Sequence, residues 1–422
     1  MTAAGIWGDT FRSLRVRNFR LFFIGQFISQ SGTWMTMIAQ TLLVLDMTGS
    51  GVMLGILAAC QFGPMLVLGP WTGAVADRVD KRRLLLLTQS GAMIQSLVFG
   101  VVIATGNATV GRIMVLALVQ GVLTALDNPV RRAFVTEMVP PEHVANAVSL
   151  NSAIMTGARV VGPAIAGVVI AAFGYAACFF LDGFSYIAVL AGVALMRKRE
   201  LFPSAKSKGT QGQVLAGFRY VRSNPDLFVP MVMMAIIGTL AFNFSVSTPL
   251  LITEALGGSQ QAFTLFYSCM SLGAVLVALA TARRRSIPRS HLVVSATVFG
   301  AAMCALAASP TLWITYPFAF LVGMGSVGFM TSCNAILQLE AAPAFRGRVL
   351  ALQAMVFLGS TPIGGPVIGW AGDTFGNRIP VLIGGVACFT AAIWGQRAWK
   401  RRDPVVVEAT VSPAEVFGGG SR

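Results

Sequence analysis

The residues of this 422-residue chain that could do chemistry are polar side chains set inside long apolar runs. Arg159 lies roughly 13 residues into the apolar run 146–171, which at ~1.5 Å per helical residue is near mid-bilayer. Asp182, in the next run, is the obvious opposite charge for it. Gln26 and Gln30, spaced i,i+4, share one helix face with Trp34. Asn151, Asn243, Asn334 and Gln353 are distributed over four further positions in apolar runs. A charge in hydrocarbon costs about 2.5–3.5 kcal/mol on insertion scales, so it marks a functional path by default. The chemistry open to this set is reversible: hydrogen bonding and charge pairing to a solute, or passage of a proton. A buried structural ion pair is the competing reading of Arg159 with Asp182. An interhelical hydrogen bond is the competing reading of each amide.

A second group is charged and lies between two apolar runs: Gly73-Ala-Val-Ala-Asp77-Arg78-Val-Asp80-Lys81-Arg82-Arg83. Gly73 permits close helix contact. Asp77, near a helix end, can accept hydrogen bonds from the N-terminus of another helix, where the macrodipole favours an anion. Arg78 and Arg82 can bridge carboxylates of neighbouring helices. Asp127, one helical turn before Arg131, is the expected partner. A network of this kind can latch two helix bundles in one state and break when they rock. The bland alternative is that the charges anchor a loop. A third group is built for packing. Gly162-Pro163-Ala-Ile-Ala-Gly167 and Gly364-Gly365-Pro366-Val-Ile-Gly369 combine small residues, which let helices approach, with prolines that bend or stiffen them.

The elements that must position these groups follow from composition. Hydrophobic residues make up 55% of the chain and charged residues only 11%, against roughly a quarter charged in soluble domains. Twelve apolar spans are expected near 19–45, 51–76, 84–104, 112–133, 146–171, 176–196, 227–255, 259–282, 290–308, 311–338, 347–372 and 379–397; about 20 residues suffice to cross ~30 Å of hydrocarbon. The net charge of +15 falls almost wholly in alternate loops: Arg12 to Arg20, Lys81 to Arg83, Arg131 and Arg132, Arg197 to Arg222, Arg283 to Arg289, Arg346 and Arg348, and Arg397 to Arg402. This is the positive-inside pattern and implies an even number of spans with both termini cytoplasmic. The charge is thus a topology signal and excludes nucleic acid as a partner. Residues 1–18 have no separate apolar core with a cleavage site, so no cleavable signal peptide is expected. The six cysteines have no CxxC partner or neighbouring histidine, so neither a metal site nor a disulfide framework is expected. There is no Walker motif, which excludes ATP as the energy source.

The chain also repeats. A shift of 202 residues superposes Gly121 on Gly323, Gly162 on Gly364, Gly167 on Gly369, Phe173-Gly174 on Phe375-Gly376 and Gly183 on Gly385. Two parallel six-helix repeats related by an axis along the membrane normal are expected. The resulting organisation is a cytoplasmic N-terminal segment 1–18, a bundle 19–196, a connector 197–225, a second bundle 226–402 and a disordered cytoplasmic tail 403–422. In the connector, Val214, Leu215, Phe218 and Val221 share a face, which predicts an amphipathic helix over 212–223 on the cytoplasmic surface, ended by Pro225.

Over residues 12–402 the chain resembles the major facilitator superfamily, an all-α integral membrane fold. Gly73, Asp77, Arg78 and Arg82 match its loop signature G-x-x-x-D-R-x-G-R-R, with Asp80 in place of the usual glycine. Gly25-Gln26, Ser31-Gly32-Thr33-Trp34, Thr48-Gly49-Ser50, Asn128-Pro129-Val-Arg131, Asn146 to Asn151 and Arg159-Val-Val-Gly162-Pro163 resemble a bacterial branch of drug and siderophore exporters that includes enterobactin and macrolide efflux proteins. The resemblance implies that the loop motif gates, and that the Gly-Pro motif of the fifth helix accompanies export rather than import. It implies a monomer in the bacterial plasma membrane that exports a small amphipathic organic solute without a cofactor, by proton antiport. Ala117 stands where some drug exporters place a basic residue before Gln120-Gly121, which weakens carry-over of their proton relay. An importer or uniporter of the same fold is the alternative, since fold does not fix direction. A membrane enzyme is disfavoured because the two histidines, His143 and His291, converge on no catalytic cluster.

Overall fold

The computed structural model describes residues 11–202, 213–282, 288–342 and 345–400, without the side chains of 70, 73–78, 156, 213–216, 282 and 358. The predicted segments 1–18 and 403–422 lie outside these in large part or whole, as do residues 203–212 of the connector. The described chain is helical. We number its α-helices α1 (Arg17–Thr48), α2 (Gly51–Arg78), α3 (Lys81–Ala104), α4 (Val110–Glu137), α5 (Val144–Phe173), α6 (Tyr175–Ala194), α7 (Gln213–Ser223), α8 (Pro225–Leu240), α9 (Phe244–Pro249), α10 (Gln260–Ala282), α11 (Arg289–Ala307), α12 (Leu312–Glu340), α13 (Arg346–Phe375) and α14 (Ile379–Lys400). Eleven segments among the described residues are long and apolar enough to cross a membrane, counting Pro225–Ala255 as one. The first helix, α1, is not among them. It has 32 residues, or about 48 Å at the α-helical rise, but carries Asn18, Gln26, Ser29, Gln30, Ser31, Thr33, Thr36, Gln40 and Thr41 along its length.

The helices fall within a few residues of the expected spans, with one correction. The seventh span, expected as one helix over 227–255, is broken at Ala241–Asn243 into α8 and α9, and continues as a π-helical turn over Leu250–Ala255. The side chains there compete for backbone groups: Asn243 donates Nδ2 to the Thr239 carbonyl at 2.6 Å, and Thr248 donates to the Phe244 carbonyl. Such local bonds offer the backbone an alternative to the helical ladder. Irregular backbone at membrane depth is tolerated where protein or a cavity covers it. The expected connector helix is present as α7. Its Tyr220 stacks on Phe345 with centroids 4.3 Å apart and accepts from the Ala342 amide at 3.1 Å, so this face docks against the start of α13. Phe218 remains half exposed.

Each pair of repeat glycines meets equivalent neighbours. A Cβ on Gly121 would stand 2.6 Å from the Cys60 carbonyl oxygen of α2, and one on Gly323 would collide with the Met270 carbonyl of α10. Gly162 faces Trp34 of α1, and Gly364 faces Thr239 of α8. Gly183 packs on Leu97 of α3, and Gly385 on Cys304 of α11. Gly167 and Gly369 do the same across the middle of the molecule, against Thr264 of α10 and Gly51 of α2. The offset of 202 residues in the sequence is therefore an offset in packing: α1–α6 and α8–α14 reuse the same glycine contacts.

We call the end of the molecule where α1 begins proximal and the other distal. Two seams join the halves. Along the first, α2 and α13 run antiparallel, with Gly51 against Gly369, Gly55 within 2.5 Å of the Gly365 carbonyl oxygen for an added Cβ, and Leu66 against Gly359. Along the second, α5 meets α10 through Gly167 and Thr264.

Candidate functional site

At the middle of the second seam, four helices bring polar and aromatic groups together. The Arg159 guanidinium lies over the Trp34 ring, 4.7 Å from its centroid. The Arg159 carbonyl accepts from Ser271 Oγ of α10 at 3.4 Å. Tyr267, one turn earlier on α10, lies near Arg159, and its hydroxyl accepts from Thr248 at 3.3 Å. The missing side chain of Gly162 sets this geometry: a Cβ there would strike Cβ of Trp34 and stand 2.8 Å from the Ser31 carbonyl oxygen. Without the glycine, α1 could not come close enough to α5 to place Trp34 beneath Arg159. Arg159 is solvent-accessible, at the place where α5 meets α1 and α10.

The expected pairing of Arg159 with Asp182 does not form. Asp182 is buried on α6, where its Oδ2 accepts from Ser96 of α3 at 2.9 Å. Among the described residues its Oδ1 has no hydrogen-bond partner, and it lies 2.5 Å from where a Cβ on Gly32 would stand. The physical reason is azimuth. Asp182 looks into the packing of α1, α3 and α6, whereas Arg159 looks toward the seam.

The amides divide into two sets. Gln26 is buried and accepts from Arg131 at 3.2 Å. Gln353 donates to Asn334 at 2.5 Å, joining α13 to α12. Asn243 is spent on the break in the seventh span, and its Oδ1 has no partner among the described residues. Gln30 and Asn151 are half-buried and have no hydrogen-bond partner among the described residues. Sequence reading passed over Tyr267, Thr248 and the bond from Gln61 to Gln40 at 2.6 Å. Polar residues i,i+3 or i,i+4 around a span, judged as a set, would have been the signal for them.

Of the charged motif, Gly73, Asp77 and Arg78 lie at the end of α2, their side chains outside the described residues. Arg82 was expected on a carboxylate, but it binds the open carbonyls at the end of α6 instead: Nε to Val193 at 3.0 Å and Nη2 to Ala194 at 2.9 Å. The last carbonyls of a helix carry partial negative charge and lack helical donors, so a guanidinium satisfies them. Asp80, in the position of the usual glycine, caps α3 by accepting from the amides of Arg82 at 2.9 Å and Arg83 at 3.2 Å. Lys81 pairs with Glu137 at 2.7 Å. Asp127 does pair with Arg131, at 3.5 Å, and also accepts from Thr88 and Gln89 of α3 at 2.9 and 2.8 Å. Arg131 reaches Gln26 of α1 and Asn128. Those partners all belong to α1, α3 and α4, so the network braces one half from within.

The distal end carries contacts that do cross between halves, and sequence reading missed them. Asp373, at the end of α13, accepts from Ser50 Oγ at 2.7 Å and from the amides of Gly51 at 2.5 Å and Val52 at 3.0 Å. It caps the N-terminus of α2, where free amides and the macrodipole favour an anion. On the other seam, Gln260 at the start of α10 donates to Tyr175 at 2.6 Å and to Asp46 at 3.2 Å, while Tyr175 donates to Asp46. Each seam is therefore fastened at its distal end by a polar clasp.

Comparison with known proteins gives these features a setting. The family described as transmembrane secretion effector matches residues 9–409. A staphyloferrin A transporter of Staphylococcus aureus is 26% identical over 89% of this chain and 95% of its own. Macrolide efflux protein A of Streptococcus pyogenes is 22% identical over 89% of this chain and 94% of its own. Among solved structures, a bacterial homologue of the human lysosomal transporter Spinster, in an inward-facing and unoccupied conformation, superposes with a TM-score of 0.71 at 15% identity, covering 91% of this chain and 97% of that one.

Proposed function

We propose, because this chain belongs to the transmembrane secretion effector family, in the drug and siderophore exporter branch of the major facilitator superfamily, that it exports a small amphipathic organic solute by alternating access. The observation that carries this reading is the fastening of both seams at their distal ends by polar clasps, with the solvent-accessible Arg159 guanidinium stacked on Trp34 near mid-depth. In the proposed topology twelve spans form two six-helix bundles, 19–196 and 226–402, with both termini in the cytoplasm of a bacterium. The clasped distal end then faces outward, and the solute enters from the cytoplasmic side. Protons are the proposed coupling ion, with buried Asp182 as carrier: among the described residues no cation pairs with it, and one of its oxygens has no hydrogen-bond partner. The polar and aromatic groups around Arg159 take the solute.

The alternative, import or uniport on the same fold, is separated by direction. In proteoliposomes with an imposed pH gradient, drug or siderophore-like solutes are expected to move against their gradient only while the proton gradient lasts, and a protonophore should abolish the movement. Accumulation that ignores the pH gradient would sink the antiport reading, and flux in the opposite sense would sink export. In the same assay Asp77→Asn is expected to lower turnover by about tenfold or more, since the proposed contact of this carboxylate with a helix N-terminus is charge-dependent and worth up to ~2 kcal/mol. Wild-type turnover in a normally inserted Asp77→Asn protein would remove it from the gate.

A further inference from the structure

We propose that Arg159 and the α1 face beside it form an anion site, and that the transported solute is an organic anion with a flat apolar body. The inference rests on the transporter reading and specifies its substrate class. Three observations at one place point to it. First, the Arg159 guanidinium is solvent-accessible and has neither an ion-pair nor a hydrogen-bond partner among the described residues; its contact is the Trp34 ring at 4.7 Å. A guanidinium offers five N–H donors, and stacking on an aromatic face leaves its edge free for a bidentate grip on a carboxylate. Second, the mid-depth carboxylates that could neutralise it are engaged elsewhere: Asp182 with Ser96, and Asp127 with Arg131, Thr88 and Gln89. Among the described residues the guanidinium therefore has no counter-ion, and a mid-membrane charge is costly unless paired or hydrated. Third, Phe27, Gln30 and Trp34 recur at i, i+3 and i+7 on α1, and the Phe27 ring is 3.2 Å from where a Cβ on Gly157 of α5 would stand. Phe27 is partly exposed, and Gln30 is half-buried with no partner. A strip of ring, amide and ring beside an unpaired guanidinium suits a flat molecule with a carboxylate at one edge.

An anionic lipid headgroup has the same charge chemistry, so the test must tell the two sources apart. Full-length protein in nanodiscs of neutral phosphatidylcholine is titrated with three probes of one shape: 2-naphthoate, 2-naphthamide and 2-naphthylmethylammonium. Affinity is read by calorimetry and by tryptophan fluorescence. Naphthoate is expected to bind at least about tenfold more tightly than the amide, as a charge-assisted bidentate contact implies. Arg159→Gln should erase that difference, while Arg159→Lys should keep part of it, as charge without the fork. Trp34→Phe should keep the preference for the anion. An ammonium probe that binds as well as naphthoate, or undiminished naphthoate affinity in Arg159→Gln, overturns the proposal. So does a failure of any anionic probe to bind. Loss of naphthoate binding when the nanodiscs contain phosphatidylglycerol would assign the guanidinium to lipid and also overturn it. Cation export that naphthoate does not inhibit would remove the anion site while leaving export intact. Arg159-dependent naphthoate binding without net flux would keep the site and remove the export reading.

Discussion

Asp373→Asn is expected to open the distal end and shift the resting protein toward the state closed at the proximal end. The carboxylate accepts three hydrogen bonds across the α2–α13 seam, two of them from backbone amides at the first turn of α2. Asparagine keeps the shape but removes the charge, and its NH2 group cannot accept from an amide. Hydrogen bonds to a charged group contribute about 1.5–3 kcal/mol, and a difference of ~2 kcal/mol moves a two-state population by roughly thirtyfold. Spin labels at Asn107 and Thr311, in distal loops of the two halves, would report the change as a longer distance in double electron–electron resonance. The same variant should show lowered turnover at saturating solute, because the return to the distally clasped state is disfavoured. An unchanged distance distribution would mean that the clasp is incidental to the conformational equilibrium.

Gly369→Val is expected to abolish transport. A Cβ at this position would collide with the carbonyl oxygen of Gly51, a backbone atom of the facing helix that no rotamer change can move. The collision lies one turn from the Asp373 clasp, so α2 and α13 would be wedged apart where they now touch. Overpacking costs typically about 1–3 kcal/mol, and here all of it falls on the state that closes the seam. Gly63→Ala is the internal control, since a Cβ there meets nothing within 4 Å; it should transport normally. Turnover in proteoliposomes, normalised to inserted protein, decides the matter. Equal activity of the two variants would show that the tight seam does not form during the cycle.

The contrast between Arg159 and Asp373 shows how much was legible beforehand. The helices, their order and the glycine repeat were readable because apolar length and glycine offsets are one-dimensional signals. The proximity of Trp34 to Arg159 had a partial signal, in the glycine of Gly162-Pro163 that brings α1 against α5. The supposed partnership of Arg159 with Asp182 failed because residue counting gives depth along a helix but not the direction in which a side chain points. Arg82 was misassigned for another reason: its acceptors are main-chain carbonyls, which every sequence contains. The same holds for Asp373, two of whose three donors are backbone amides. The break at Ala241–Asn243 was missed because Asn243 and Thr248 read as ordinary polar residues until their bonds to the local backbone are seen.

The polarity of α1 has a consequence for how the protein is made. Of its nine amide and hydroxyl side chains from Asn18 to Thr41, Gln26 meets Arg131 of α4, Thr33 meets Tyr186 of α6 and Gln40 meets Gln61 of α2 in the folded molecule. A nascent chain has none of those neighbours when this helix leaves the ribosome. On its own, the segment would partition into lipid poorly, since insertion follows the summed transfer cost of each residue. The next helix, far more apolar, begins after only Gly49 and Ser50, with Gly49 at φ +59° turning the chain back. The two therefore enter the bilayer as one hairpin, the second helix drawing in the first. In the topology proposed above, the orientation of the whole chain is then set by a pair of helices, with the basic residues that flank it, Arg12 to Arg20 and Lys81 to Arg83, on the side of synthesis.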